Sequence, residues 1–524
     1  MHAPLKFRAI RWLVSRSSTA SGNAGSCRAA GRISAFLLTL CLSCLCAAAT
    51  QAADDEPGFK PLFNGRDLAG WDGDSRFWSV EDGVVIGRTT PENPTKGNTF
   101  LIWRDGEVDD FELRLSYRLE GGNSGVQYRS RDFGKWVVGG YQADFESRDT
   151  YSGILYEERG RGILAQRGQK TRIGDDGKPQ VVENLGDAGE LQSAIRKEDW
   201  NDYVIIARGN HLTHRINGRT MCEVTDEQSA KAAKSGILAL QLHAGEPMKV
   251  QFKDVRLKRL PLAEGKKLVL VAGTPSHGPG DHEFNAGVAL LKRCLDRTNG
   301  VVTAVYRNGW PKDPTAFDNA DAVMLFMDGG GQHPLIQADH LAVMRDLMKR
   351  GVGLACVHYA VEIPKDKGGQ ELLDWIGGYY EAGYSTNPHW VAQFKDLPDH
   401  PIRRGVKPFA IRDEWYFNIR FRPGMSGVEP ILKATPPDDL RRSAATKEHP
   451  GREEIVAWAV ERPDGGRGFG FTGGHMHANW GNDDFRKLVL NALVWTAKGE
   501  VPPEGVDSSV DPAALKENLD PKGK

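Results

Sequence analysis

The stretch KLVLVAGTPSHGPGDHEF, Lys267 to Phe284, runs an apolar β-like segment into a glycine- and proline-rich loop. A nucleotide-binding fold would offer bare backbone to a phosphate there. This loop carries His277 and His282 instead, followed by Glu283. Other histidines stand in comparable places. VMLFMDGGGQHP brings Asp328 and His333, VGLACVHYA brings His358, DEWYF brings Asp413 and Glu414, and FGFTGGHMHANWG brings His475 and His477. The chain has 14 histidines in all, so this concentration is a site signal. Imidazoles with a nearby carboxylate suit two chemistries: divalent metal ligation, or hydrogen-bonding base work on a polyol. Extended backbone at HMH would put His475 and His477 on one side.

A second set of polar residues lies earlier. GVQYRS alternates Val126 and Tyr128 with Gln127 and Arg129; YQADFE alternates Tyr141, Ala143 and Phe145 with Gln142, Asp144 and Glu146. LALQLHAG alternates Leu238, Leu240 and Leu242 with Ala239, Gln241 and His243. Paired in one sheet, these segments would point amides and ionisable groups from one face. Sugar hydroxyls need such paired donors and acceptors, whereas an ordinary wet sheet face would show the same periodicity. His214 alternates with Leu212 and Ile216 and reads as a partly buried, hydrogen-bonded histidine.

The elements that must position these groups fall into two patterns. From Phe59 to Leu260 short strands dominate, the clearest being DFELRLSYRL, Asp110 to Leu119, with strict period two. Further strands are expected at Trp78–Ile86, Gly125–Ser130, Tyr203–Ala207, His211–Ile216, Ile237–His243 and Val250–Leu257. Such a series without amphipathic helices predicts an antiparallel jelly-roll sandwich. After a linker near Lys258–Lys266, strands alternate with helices. Strands are expected at Leu268–Ala272, Val301–Tyr306, Ala322–Phe326 and Val352–Val357, and helices at Phe284–Leu295, around Leu341–Met348, and after Asp484. That order predicts a flavodoxin-like, doubly wound parallel sheet, whose ligands sit at the C-terminal strand ends.

With 524 residues, 68 basic and 69 acidic side chains, the chain has no basic stripe for nucleic acid and no single-sign field for a membrane. Arg8 to Arg32 precede an apolar run from Ile33 to Ala49, which is the layout of a secretory signal peptide over residues 1–53. The chain is therefore expected in the periplasm or outside the cell, with no membrane span once the signal is removed. Beyond the leader only Cys222, Cys294 and Cys356 remain, too few and too scattered for a disulfide framework. The expected organisation is a signal at 1–53, a jelly roll at 57–260, an α/β domain at 266–498 and a flexible tail at 499–524. Nothing in the sequence sets an oligomeric state.

PLFNGRDLAGW, GGNSGVQYRS, SGILYEERGRGILA, EDWNDYVIIARGNHLTHRINGR and GILALQLHAG, in that order, resemble the 3-keto-disaccharide hydrolase family. The resemblance implies a concanavalin-like jelly roll acting on 3-keto-glycosides. A ketone at C3 acidifies the hydrogen at C2, a base removes it, the C1 substituent leaves, and water adds. The residues offered for this are His243 or Asp144 as base, Arg129 to steady the enolate, and Glu157 on LYEERGRG. Gln127, Gln142, Glu146 and Gln241 would bind the sugar. A divalent metal held by Asp144 and His243 is an open alternative. PSHGPGDHEFNAG, GVGLACVHYA, DEWYFN and GGHMHANW resemble the trehalose-utilization (ThuA-like) family, which implies a class I glutamine amidotransferase-like fold. The amidotransferase triad does not carry over, because His358 stands at the nucleophile turn and Cys356 lies inside the strand. The candidate site of this domain is His277, His282, His358, Glu414, His475 and His477. Trp390, Trp415, Tyr416 and Trp480 would stack on a sugar or serve as core. The chain thus reads as a carbohydrate-processing hydrolase with a small carbohydrate as partner. A non-catalytic carbohydrate-binding protein with a lectin-like jelly roll is the alternative.

Overall fold

The computed structural model describes residues 56–522, and the expected signal peptide lies outside them. No helix among the described residues is long and apolar enough to cross a membrane.

Residues 60–259 form a sandwich of a ten-stranded and a seven-stranded sheet. Five strands of the smaller sheet carry the site: β1 (Thr99–Trp103), β2 (Asn123–Asp132), β3 (Val138–Glu146), β4 (Leu155–Glu158) and β5 (Ile237–Leu242). They lie in the order β4-β3-β2-β5-β1, all antiparallel. Alternation assigns their faces. Val126, Tyr128, Tyr141, Ala143, Phe145, Leu238, Leu240 and Leu242 pack inward on Phe111, Leu113, Leu115, Tyr117 and Leu119 of the larger sheet. The intervening residues of β2, β3 and β5 therefore face away from the core. The expected strand over 78–86 is a hairpin, Trp78–Glu81 with Val84–Arg88, turned at Asp82 and Gly83, which both have positive φ.

Residues from Lys266 form the second layer system. A seven-stranded sheet contains β6 (Lys266–Ala272), β7 (Val301–Tyr306), β8 (Ala322–Phe326), β9 (Gly353–Val357), β10 (Glu454–Glu461) and β11 (Arg467–Phe471). The order is β7-β6-β8-β9-β11-β10, closed by Val428–Ala434. The first five are parallel, and in chain order they run second-first-third-fourth-fifth, the flavodoxin-like arrangement. β10 pairs antiparallel with β11, and the closing strand pairs antiparallel with β10. Helices α1 (Phe284–Leu295), α2 (His340–Lys349) and α3 (Asp483–Thr496) cover the sheet with their apolar stripes. The segment expected to be a flexible tail is packed. Val501, Val506 and Ala514 are buried, and the Asp520 amide donates to Glu283. Its few apolar residues reach grooves beside α1 and α3 that composition does not reveal.

The linker is short, and both its ends are buried in a charged junction. Arg259, the last residue of the sandwich, donates to Asp313 at 2.8 Å and Thr315 at 2.9 Å, and lies 3.3 Å from Asp109. Lys267, on β6, reaches Asp109 at 2.6 Å and Asn319 at 2.6 Å. Two cations and two anions thus cancel in a water-excluded volume. The two neighbouring cations hold Asp109 down at about 2 despite its burial, and burial lowers Lys267 to about 8. Removing one partner leaves a buried charge uncompensated. Asp109→Ala is expected to cost about 3–5 kcal/mol of unfolding free energy, measured by denaturant titration. A loss below about 1 kcal/mol, the range of exposed pairs, would show that the junction does not hold the halves together.

Candidate functional site

The outward face of β2, β3, β4 and β5 floors a pocket of about 500 Å³. Gln142, Asp144 and Glu146 of β3, Gln241 and His243 at the end of β5, Tyr156 and Glu158 of β4, and Asn98 and Asn123 line it. Of the expected residues, Asp144, His243, Gln142, Glu146 and Gln241 therefore meet around one hollow.

A chain of hydrogen bonds fixes the floor. Ser130 Oγ donates to Gln127 Oε1 at 2.7 Å, and Gln127 Nε2 to Gln142 Oε1 at 2.7 Å. Gln142 Nε2 donates to Asp144 Oδ2 at 3.1 Å and Gln241 Oε1 at 3.4 Å. Gln241 Nε2 reaches Glu158 Oε2 at 3.4 Å. Each amide is both donor and acceptor, so the row has one consistent orientation. Gln127 acts from behind, holding Gln142. Gly125 makes the row fit: a Cβ there would stand 2.6 Å from Gln142 Cγ.

Asp144 is the most perturbed group. Its burial raises the carboxyl to about 7, although Asn123 at 2.7 Å and Gln142 both donate to it. Burial raises Glu158 too. His243 gives its Nδ1 proton to the Ala244 carbonyl at 2.5 Å, which leaves Nε2 for the pocket. The Glu146 carboxylate accepts the amides of Thr150 and Tyr151, both at 2.7 Å, and so shapes the rim. Tyr151 and Tyr156 supply aromatic surface.

Two expected catalytic residues are elsewhere. The β2 register shifts between Tyr128 and Arg131, and Arg129 sits at φ 47°. This bulge ends the alternation and turns Arg129 out of the outward face. Its guanidinium pairs with Asp110 at 2.7 Å and donates to the Asp109 and Gly209 carbonyls. Arg129 thus holds the segment that carries Asp109 into the interdomain junction. Gly236 permits the bulge, since its Cβ would lie 2.5 Å from the Arg129 carbonyl carbon. Glu157 is also displaced. Leu155 is in the core, so period two turns Glu157 inward, where it pairs with Arg161 at 2.7 Å. Tyr156 and Glu158 take the pocket side, and the same alternation in LYEE could have identified Glu158. His214 is fully buried, with Nε2 at 3.0 Å from the Tyr128 hydroxyl and Nδ1 at 3.2 Å from the Ile154 carbonyl.

The second cluster forms at the C-terminal ends of the parallel strands. His282 follows β6, Asp328 follows β8, His358 follows β9 and His475 follows β11. Glu414 ends the strand Phe409–Glu414, which pairs with His389–Phe394. His282 Nε2 lies 3.0 Å from His358 Nε2 and 3.0 Å from His475 Nδ1. Glu414 Oε2 lies 3.2 Å from His475 Nδ1 and 3.6 Å from His358 Nε2. The buried Asp413 carboxylate accepts the Gly474 amide at 2.7 Å and so holds the loop that delivers His475. His277 stacks on His282 at 3.7 Å between ring centroids and is exposed. His477 does not join: a 3-10 turn begins there, and its Nε2 faces the Leu515 carbonyl at 3.0 Å. The expected extended HMH is broken by that turn. His333 is buried, bonding to Ala360 and Leu335 backbone. Cys356 is buried in β9, where burial raises its thiol. Trp390, Trp415, Tyr416 and Trp480 are all core.

Two family models match the chain in tandem: the 3-keto-alpha-glucoside-1,2-lyase-like domain over residues 58–258 and ThuA, trehalose utilisation, over residues 268–496. No curated protein matches it. Solved structures similar to it include a candidate glycosyl hydrolase from Parabacteroides distasonis ATCC 8503, at 18% identity over 38% of this chain and 99% of that one, TM-score 0.28. A ThuA-like protein from Parabacteroides merdae ATCC 43184 is 17% identical over 48% of this chain and 94% of that one, TM-score 0.33. A carbohydrate binding module from Bacillus subtilis is 14% identical over 36% of this chain and 95% of that one, TM-score 0.25.

The raised Asp144 carboxyl has a stability consequence. The folded chain keeps this proton up to about pH 7, whereas an ordinary carboxyl releases it near 3.8. Between those values the folded state binds more protons, so stability falls as pH rises, by up to about 1.4 kcal/mol per pH unit. Asp144→Asn should lack that fall when melting temperature is followed from about pH 4 to 7. Parallel curves for the two proteins would contradict the raised carboxyl.

Proposed function

We propose that this chain, a 3-keto-α-glucoside-1,2-lyase-like domain joined to a ThuA domain, is a hydrolase of 3-keto-glycosides and that the sandwich pocket carries the chemistry. The observation that supports it is one pocket holding two burial-perturbed carboxyls, Asp144 and Glu158, beside the free Nε2 of His243. Proton transfer needs groups whose affinity is shifted toward working pH, and burial shifts both carboxyls in that direction.

The steps follow from the ketone. With the C3 carbonyl among the donors of the pocket, ionised Asp144 takes the proton from C2. The electron pair moves through the enolate and expels the C1 oxygen, so the C1–O bond breaks as C1=C2 forms. Glu158, whose carboxyl burial raises, supplies in its protonated form the proton that the departing glycosidic oxygen takes. Water then adds across the double bond, hydroxyl to C1 and proton to C2. His243 donates from Nε2 to the enolate oxygen when its ring carries both hydrogens, the task sequence reasoning gave to Arg129. The amides of Asn98 and Gln241 bind hydroxyls, and Tyr156 covers a ring face.

Purified chain offered 3-keto-trehalose or 3-keto-glucosides should release free sugar and exchange the C2 hydrogen with deuterated solvent. The acid limb of kcat/KM should rise with pH through an apparent value near 7, that of Asp144. Asp144→Asn and His243→Ala should each lower kcat by roughly 10²–10⁴-fold, with little change in melting temperature for the half-buried His243. Tight sugar binding without turnover or C2 exchange would establish a binding protein instead.

A further inference from the structure

The histidine cluster of the α/β domain brings two ring nitrogens face to face with nothing between them. His358 Nδ1 lies 2.9 Å from the Thr472 carbonyl, which only accepts, so Nδ1 carries the hydrogen. His282 Nδ1 lies 2.9 Å from Asp328 Oδ1, which also accepts from Ser276 at 2.9 Å, so it too carries its hydrogen. In the neutral rings both Nε2 atoms are then bare lone pairs. Yet they face each other at 3.0 Å, and both side chains are at most 1% exposed. The Tyr416 hydroxyl reaches His358 Nε2 only at 3.5 Å and His475 Nδ1 stands 3.0 Å from His282 Nε2, but neither lies between the two facing nitrogens, and a buried pair of lone pairs so close calls for something electropositive there. His475 Nδ1 and Glu414 Oε2 point at the same spot.

From this geometry we infer that His282 Nε2, His358 Nε2, His475 Nδ1 and Glu414 Oε2 are the ligands of a divalent transition-metal ion of the zinc class. The donor atoms lie within 4.8 Å of one another. Four of their separations run from 3.0 to 3.6 Å. Bonds of about 2.0–2.1 Å in a tetrahedron place ligand atoms roughly 3.3 Å apart. Three imidazoles with one carboxylate select a borderline ion over calcium or magnesium, which prefer all-oxygen shells. The second layer is present as well. The Thr472 carbonyl fixes the tautomer of His358, and Asp328 fixes that of His282. The backbone adds an independent sign. His277, His282 and His358 all sit at positive φ, at 59°, 48° and 55°. Such conformations cost of order 1–3 kcal/mol each and persist where the surroundings demand a particular side-chain direction. A second grouping, His277, His282 and Asp328, also converges. It is the weaker choice, because it claims the His282 Nδ1 that already donates to Asp328. Exposed His277 and His389 flank the cluster, so a hydroxyl or carbonyl oxygen from solvent can reach the ion as a further ligand.

The test uses the whole chain, stripped with chelator and titrated with Co²⁺ alone. One ion per chain should bind with the visible absorption of a four- or five-coordinate centre, and Zn²⁺ should bleach it by displacement. His358→Gln should abolish the absorption. Asp328→Ala, which spares all four ligands, should weaken Co²⁺ binding roughly 10–100-fold. Circular dichroism of each variant checks that it folds. The proposal is overturned if folded wild-type chain takes up neither ion, the result expected if a His282 imidazolium supplies the missing hydrogen. It is overturned equally if both variants bind Co²⁺ as the wild type does.

Discussion

A polar atom removed from water must meet a partner, and this chain removes many of them at three places. In the sandwich pocket the demand is met by a row of amides, each donating onward from Ser130 to Glu158. At the junction it is met by two cations and two anions in a closed set. In the histidine cluster it is met by protein for the outer nitrogens, while the inner ones of His282 and His358 face each other at 3.0 Å. The difference separates architecture from site. A set that closes on itself holds elements together, and a set left open by one member points at something that arrives from outside.

Much of the fold was legible. Phe284–Leu295, Val301–Tyr306, Ala322–Phe326 and His211–Ile216 appear with the boundaries their periodicity implied, because one buried stripe or face dominates each. The polar face of β3 was legible for the same reason: Gln142, Asp144 and Glu146 alternate with aromatic and small core residues. The placement of His282, Asp328 and His358 at C-terminal strand ends followed from the βαβ order.

What failed was local backbone geometry. Arg129 was misplaced by one bulge whose enabling glycine, Gly236, is over a hundred residues away in sequence, so no window around GVQYRS contains the cause. His477 was misplaced by a turn starting one residue after an extended one. Glu157 is different, since the alternation in LYEE puts it on the side of buried Leu155 and puts Glu158 on the side of the pocket. The packed C-terminal segment failed on composition: proline and charge describe its exposed side, while Val501, Val506 and Ala514 describe the side that matters.

The bulge at Arg129 makes one strand serve two masters. Its first half floors the pocket, and its second half braces the loop that enters the junction. The linker between the halves is short, yet Arg259 and Lys267 at its two ends are sealed by residues of both. A recombination event that cut there and joined a foreign partner would strand a guanidinium on one side and an ammonium on the other. The two modules therefore complete one charge set between them, and exchanging one would mean supplying new partners for Arg259 or Lys267.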